Sequence, residues 1–138
     1  MAHEDVIDIL KSKIQNPNVT AQRAPLPKSK LTGVVHCFTG DLNEAKQYME
    51  LGFYLGINGI IFKLDLDKII KQIPLDKILV ETDCPYLIPP EAGVERNEPK
   101  FVKIVAKRIA ELKNVSFEKV GQATTANAMR LFKFDQSR

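Results

Sequence analysis

Cysteine, long apolar runs and clustered basic residues are all scarce in this sequence. Two cysteines among 138 residues, Cys37 and Cys84, are too few for a disulfide framework, so we expect free thiols in a reducing setting inside the cell, cytoplasmic or nuclear. No run of about 18 apolar residues exists that could span a bilayer, and we expect no membrane association. The opening residues MAHEDVIDIL lack the basic and then apolar pattern of a secretory signal. The positive residues are dispersed, so the net charge of +3 does not by itself indicate a nucleic-acid binder.

The apolar pattern predicts alternating strands and helices. Residues 4–14 have helical spacing, and the stretch 16–30, which contains three prolines, is typical of a linker. We predict strands at 31–38, 52–58 and 77–83, and helices at about 42–49, 66–73, 98–112 and 116–132. Asp41 and Glu44 form a possible capping box, and the last helix is predicted to break near Gly121. Strands that alternate with helices indicate an α/β fold with a parallel sheet in one domain, residues 1–138.

Polar residues stand at the ends of two predicted strands. His36 lies near the end of the first and Asp83 ends the third, and parallel α/β folds bind ligands at that end of the sheet. Strand alternation predicts that Glu81 shares the face of Asp83, and that Cys37 and Cys84 point away from the site. Imidazole and carboxylate together suit zinc, manganese or magnesium, but two ligands are too few for a catalytic metal. From the residues alone, a hydrogen-bonded strand-end histidine and a helix-capping aspartate are the favoured alternative.

Four short segments resemble one known family. They are GVVHCFTG (33–40), ETDCPYL (81–87), RNEP (96–99) and TTANAMRLF (124–132). In this order and spacing they resemble the TatD family of metal-dependent hydrolases, within the amidohydrolase-like superfamily, over residues 31–134. The resemblance implies a (β/α)₈ barrel of which this chain would supply strands six to eight with their helices. It also implies hydrolysis of phosphodiester bonds in DNA at a divalent metal centre, with magnesium, manganese or zinc as the cofactor.

The resemblance implies roles for four residues. His36 matches the metal-binding histidine of the sixth barrel strand, and Asp83 matches the aspartate of the eighth strand. That aspartate would bind the metal or take the proton of the attacking water. Glu81 would support these two residues. Arg96 would order its loop through a salt bridge, which we favour, or would contact a substrate phosphate.

Other positions of the family's metal site have no counterpart in this sequence. The family uses a His-x-His pair on the first strand, a glutamate on the fourth and a histidine on the fifth, whereas the only histidine here besides His36 is His3. We expect His3 to be a solvated helix residue. We also expect a truncated product or one piece of an assembly, because three strands cannot close a barrel. The side chains then expected to face water or a partner chain are Val34, Tyr54 or Leu55, and Leu79 or Val80.

Two functional hypotheses follow from the sequence. The first is a TatD-like hydrolase that acts on DNA, and its purified chain is expected to bind divalent cations weakly and to show no metal-dependent nuclease activity alone. The second is a catalytically silent interaction or regulatory module whose sheet edges bind a partner chain. A plain nucleic-acid binder is disfavoured because the basic residues form no stripe and aromatic residues make up only 7% of the chain.

Overall fold

Three strands and five α-helices alternate through the residues that the structure, a computed structural model, describes. These residues are 2–15 and 32–134, so the predicted linker lies outside the described residues. The elements are α1 (Ala2–Gln15), β1 (Gly33–Val35), α2 (Leu42–Glu50), β2 (Phe53–Ile57), α3 (Asp67–Gln72), β3 (Ile78–Val80), α4 (Val102–Lys113) and α5 (Phe117–Phe132). No helix in these two ranges is long and apolar enough to cross a membrane.

The strands form one parallel sheet in the order β1-β2-β3. Val34 pairs with Tyr54, and Leu55 pairs with Ile78. The predicted α/β class and the parallel sheet are confirmed, but β1 and β3 are shorter than predicted. Both strands end early because the chain turns after them, with positive φ values of 50° at Cys37 and 56° at Asp83. The peptide bond between Cys84 and Pro85 is cis.

One apolar core lies between the sheet and the helices. Leu55 and Ile57 of the central strand are fully buried, as alternate residues of a strand whose two edges are both paired. The α4 side of this core comes from Val105 and Ile109, which are spaced four residues apart and are also buried. The sheet and helices are therefore held together mainly by burial of aliphatic side chains.

The α5 helix is continuous, and the predicted break near Gly121 is wrong. Gly121 lies in open space, so its missing side chain leaves no defect in packing. The helix is anchored further along by Asn127, which is 1% exposed. The Asn127 amide donates to the carbonyls of Leu75 and Ile78, at 3.0 and 2.8 Å, and so ties α5 to the start of β3.

The α2 helix begins with the predicted capping box. The Asp41 carboxylate accepts from the N–H of Glu44, and the Glu44 carboxylate accepts from the N–H of Asp41, both at 2.8 Å. Two of the free N–H groups at the helix start are satisfied in this way. The turn that follows β1 is thus anchored directly to the start of α2.

The α1 helix packs against α2 through a buried aromatic contact. Ile7 is 1% exposed, and His3 Nδ1 lies 3.1 Å from the Tyr48 hydroxyl. The His3 ring centroid lies 5.6 Å from that of Phe38. Burial raises the pKa of Tyr48. The expectation that His3 is a solvated side chain is therefore wrong, because its ring is half-buried in contact with Tyr48 and Phe38.

Several side chains expected to face water are buried instead. Leu55 faces the helices, and Tyr54 and Leu79 are only 6% and 8% exposed. Lys77 Nζ lies 5.5 Å from the centre of the Tyr54 ring, and the Arg130 guanidinium donates to the Tyr54 hydroxyl at 3.5 Å. These long cationic side chains cover the ring while their charged ends reach water.

The docking of α1 can be tested by a core deletion with an exposed control. Ile7→Ala should lower the free energy of unfolding by about 2–5 kcal/mol, because it leaves a cavity between α1 and α2. Ile9→Ala removes the same atoms from a side chain that is 59% exposed, and it should change stability by less than about 0.5 kcal/mol. Urea unfolding followed by circular dichroism measures both values. Equal effects of the two substitutions would show that α1 does not pack as described.

Candidate active site

A tight turn after β1 carries His36 to the carboxyl end of the sheet. Cys37 adopts the left-handed conformation, with φ of 50°. The N–H of Phe38 donates to the carbonyl of Gly56 at 3.0 Å, which holds the turn against the neighbouring strand. The side chain of His36 remains 59% exposed, so it is accessible to a ligand.

Asp83 reaches the same end of the sheet from β3. The N–H of Glu81 continues the pairing with β2 by donating to the carbonyl of Ile57 at 3.0 Å, and the chain turns at Asp83. As a result, Asp83 Oδ1 lies 3.4 Å from His36 Nε2. The prediction that these two side chains converge across the middle strand is confirmed, while their roles as metal ligands stay predictions.

The carboxylate of Glu81 connects the ends of all three strands. Its Oε2 accepts from His36 Nδ1 at 2.9 Å. Its Oε1 accepts from the N–H of Cys37 at 2.7 Å and from the side-chain amide of Asn58 at 3.2 Å. Because an ionised carboxylate has no hydrogen to donate, Nδ1 of His36 carries the shared hydrogen. Glu81 therefore fixes the orientation of the imidazole and directs Nε2 toward Asp83.

Two residues on the β2 side make this arrangement possible. A Cβ atom at position 56 would lie only 2.6 Å from Glu81 Oε2, so Gly56 leaves the space that the carboxylate occupies. Asn58 is fully buried, and its oxygen accepts from the N–H of Ile60 at 3.0 Å while its amide binds Glu81. Sequence reasoning missed Asn58, although an amide at the end of the apolar run GFYLGIN was a signal for it.

The loop after Asp83 is closed by Asn97, a second residue that sequence reasoning missed. Asn97 is 3% exposed. Its amide donates to the carbonyls of Thr82, Tyr86 and Leu87, at 2.8, 2.5 and 3.3 Å. Its backbone N–H donates to the carbonyl of Pro85 at 3.1 Å. The RNEP segment thus folds back onto the residues next to Asp83 through an asparagine.

Arg96 does not order this loop. Its side chain is exposed and has no ion-pair or hydrogen-bond partner among the residues that the structure describes. The favoured salt bridge is therefore wrong, because the buried amide of Asn97 performs the closing role. A contact between Arg96 and a phosphate stays a prediction.

The cysteines are free thiols, as predicted. The prediction that both point away from the site is wrong for Cys37. Its N–H donates to Glu81, and its Sγ lies 3.7 Å from Asn58 Oδ1. Strand alternation ends at Val35, so it does not set the direction of a residue in the following turn.

His36 Nε2 and Asp83 Oδ1 have the geometry of two metal ligands. In neutral His36 the lone pair of Nε2 faces a carboxylate oxygen at 3.4 Å, and two acceptors so placed attract a cation between them. Two ligands of a tetrahedral zinc, with bonds of about 2.0–2.1 Å, are separated by about 3.3–3.4 Å. The described residues contain no group of three or more His, Cys, Asp or Glu side chains that could hold a metal. The spacing of the pair therefore fits two ligands of such a cation, and a complete ligand set is absent from the described residues.

The same contacts favour a proton on His36. The hydrogen bond to Glu81 raises the pKa of His36 above its ordinary value, with the nearby negative charges acting in the same direction and desolvation opposing them. In the metal-free chain, Glu81 and Asp83 therefore stabilise the protonated, positively charged form of His36.

Glu81→Gln should lower the pKa of His36, since it removes the negative charge that stabilises the imidazolium. With two histidines in the chain, an NMR titration of the ring carbon protons in EDTA follows one signal from the site and one control signal from His3. Glu98→Gln, which changes an exposed carboxylate paired with Lys100, is the matched control and should leave the His36 titration unchanged. An unchanged pKa in Glu81→Gln would mean that the hydrogen bond does not form in solution.

Comparisons of the sequence with family models and with individual proteins indicate the same family. The sequence model described as "TatD related DNase" matches residues 1–133. The chain is 39% identical over 137 residues to the "Uncharacterized metal-dependent hydrolase YabD" of Bacillus subtilis, covering 97% of this chain and 49% of that protein. It is 39% identical over 112 residues to the "3'-5' ssDNA/RNA exonuclease TatD" of Citrobacter rodentium, covering 75% of this chain and 42% of that protein.

A solved structure agrees with these sequence matches. The crystal structure of YJJV, a TatD homologue from Escherichia coli, superimposes with a TM-score of 0.78 at 25% identity, covering 98% of this chain and 48% of that one. The chain spans about half the length of the relatives it matches, and its three-stranded sheet corresponds to part of their TIM barrel. Because the family model matches nearly all of its residues, the chain belongs to the TatD family of metal-dependent hydrolases.

Proposed function

We propose that this chain supplies one part of the metal centre of a hydrolase that cleaves phosphodiester bonds in DNA. The observation that carries the proposal is the 3.4 Å approach of His36 Nε2 to Asp83 Oδ1, with the imidazole held from behind by Glu81. A histidine ligand whose other ring nitrogen donates to a carboxylate is a recurrent arrangement at metal sites.

Each of the three residues has a distinct role in this proposal. His36 Nε2 and Asp83 Oδ1 bind the divalent cation, which is magnesium, manganese or zinc. Such a cation, when bound, activates a water molecule and stabilises negative charge on the phosphate. Glu81 is a positioning residue that keeps the hydrogen of His36 on Nδ1 and makes Nε2 a better ligand. Asp83, with 36% of its side chain exposed, is also accessible to take a proton from water.

The substrate is proposed from a named relative, and the cellular compartment is proposed from the free cysteines. The Citrobacter rodentium relative is named as an exonuclease for single-stranded DNA and RNA, and we extend nucleic acid as the substrate class to this chain, with DNA as the preferred member. Two free thiols are consistent with a reducing compartment, cytoplasmic or nuclear.

A silent interaction module is the second candidate. Within the described residues, β1 and β3 each pair with a neighbouring strand on one side only. His36 and Asp83 offer only two metal ligands, which is fewer than a catalytic metal needs. An unpaired strand edge can bind a strand of another chain. In this alternative, a partner covers the edges and no cation is held between His36 and Asp83.

The 138-residue chain alone should not cleave DNA, whereas a chimera with a complete ligand set should. In the chimera, residues 33–134 replace the matching half of the Citrobacter rodentium exonuclease. We expect metal-dependent release of nucleotides from single-stranded DNA that falls at least about a hundredfold in His36→Ala and in Asp83→Ala, because each substitution removes a ligand of the cation. The measurement is nucleotide release in magnesium, manganese or zinc.

Asp76→Asn is the matched control, since Asp76 is an exposed carboxylate just before the start of β3, at the opposite end of the strand from the site. It should leave the rate of the chimera unchanged. A folded chimera that is equally active without His36 and Asp83 would disprove their proposed roles. Robust cleavage by the chain alone that disappears in the His36→Ala, Asp83→Ala double variant would mean that a second copy or another chain supplies the missing ligands.

A further inference from the structure

Tyr86 is the most exposed large hydrophobic side chain that the structure describes. Its relative exposure is 71%, whereas the two other tyrosines, Tyr48 and Tyr54, are 2% and 6% exposed. It lies three residues after Asp83, at the end of the sheet where the candidate site is found. An aromatic ring that is left in water beside a binding site offers a flat surface for another ring.

The backbone that carries this ring is fixed on both sides. The N–H of Tyr86 donates to the carbonyl of Asp83 at 3.0 Å, and its carbonyl accepts from the amide of Asn97 at 2.5 Å. Asn97 is buried, so this support is shielded from water. The exposed ring therefore projects from a rigid part of the loop, and binding a ligand would require little ordering of the backbone.

Arg96 is brought to the same place by Asn97. Asn97 is bonded through its backbone to Pro85 and through its side chain to Tyr86, so the residue before it lies next to the segment that carries the ring. The Arg96 guanidinium is exposed and makes no ion pair with any described residue. An aromatic face and an available cation thus share one ordered loop.

The charge of this loop favours an unpaired strand over a duplex. Glu91 and Glu95 precede Arg96 in the same loop and are exposed, and Glu98 is paired with Lys100 at 2.9 Å. The loop is therefore not a broad basic surface of the kind that binds duplex phosphates. Stacking must then supply much of the affinity. Only a base that is free of its complement presents its face for stacking.

We infer that Tyr86 and Arg96 form a docking edge for single-stranded nucleic acid, in which the ring stacks on an unpaired base and the guanidinium binds a neighbouring phosphate. This inference rests on the proposed function and specifies how the same site would hold its substrate. The hydrogen bonds of Asn97 to Pro85 and Tyr86 fix the positions of the ring and of Arg96 relative to Asp83. The bound nucleic-acid strand would therefore approach the His36–Asp83 pair along the loop that follows β3.

The test is the binding of fluorescein-labelled oligo(dT) to the 138-residue chain in EDTA, followed by fluorescence anisotropy. Tyr86→Ala should weaken binding about 5- to 150-fold, which is the range for the loss of one stacked base. Tyr86→Phe keeps the stacking face and should bind within about twofold of the unchanged chain. Arg96→Gln should reduce the slope of log affinity against log salt by about 0.7, the value for one lost phosphate contact on a single strand.

Matched controls separate this surface from general effects. Phe117→Ala removes another exposed aromatic ring, and Lys103→Gln removes an exposed cation from α4; neither should change affinity or salt slope beyond about twofold. Because EDTA removes divalent cations, the oligonucleotide affinity is measured without a metal at His36 and Asp83. Failure of the metal-site proposal is thereby distinguishable from failure of the docking edge.

Three results would overturn the inference. They are no saturable binding of the oligonucleotide by the unchanged chain, unchanged affinity in Tyr86→Ala, and an equal loss of affinity for duplex DNA in that variant. A change in sedimenting mass in Tyr86→Ala without a change in oligonucleotide affinity would assign the ring to a protein contact instead. Circular dichroism checks that each variant is folded, and we expect no loss of folding because both side chains are exposed.

Discussion

The carboxylate of Glu81 is the interaction on which the candidate site depends. It accepts hydrogen bonds from a side chain after β1, from the backbone of the same turn and from an amide after β2, while its own backbone extends β3. Gly56 provides the space for it, and Asn58 is buried against it. Because one acceptor group orders three strand ends, the position of His36 follows from the sheet and not from a flexible side chain.

The periodic features of the fold could be predicted from the sequence. Strand-like apolar runs alternate with segments of helical spacing, and this order predicted the parallel sheet. The pair Asp41 and Glu44 predicted the start of α2. His36 and Asp83 were identified because polar residues at strand ends meet at one edge of a parallel sheet. These inferences need only local pattern and the direction of the strands.

The remaining features depend on turns and on distant contacts. Cys37 has its amide in the site because the strand ends before it, and Asn97 closes the loop through three carbonyls that the sequence does not mark. His3 is half-buried through its contact with Tyr48, which lies 45 residues away along the chain. Tyr54 is covered by Arg130, 76 residues away. Such contacts are set by tertiary packing, which composition and periodicity do not specify.

The proposed metal centre requires that His36 and Asp83 bind one cation while Glu81 holds the imidazole. Anomalous diffraction from crystals of the chain soaked in excess zinc is the decisive measurement. We expect a zinc peak at about 2.0–2.2 Å from both His36 Nε2 and Asp83 Oδ1, with Glu81 still bonded to Nδ1. A peak coordinated by Glu81 in place of that pair, or zinc bound only elsewhere on the chain, would show that His36 and Asp83 do not form the cation site.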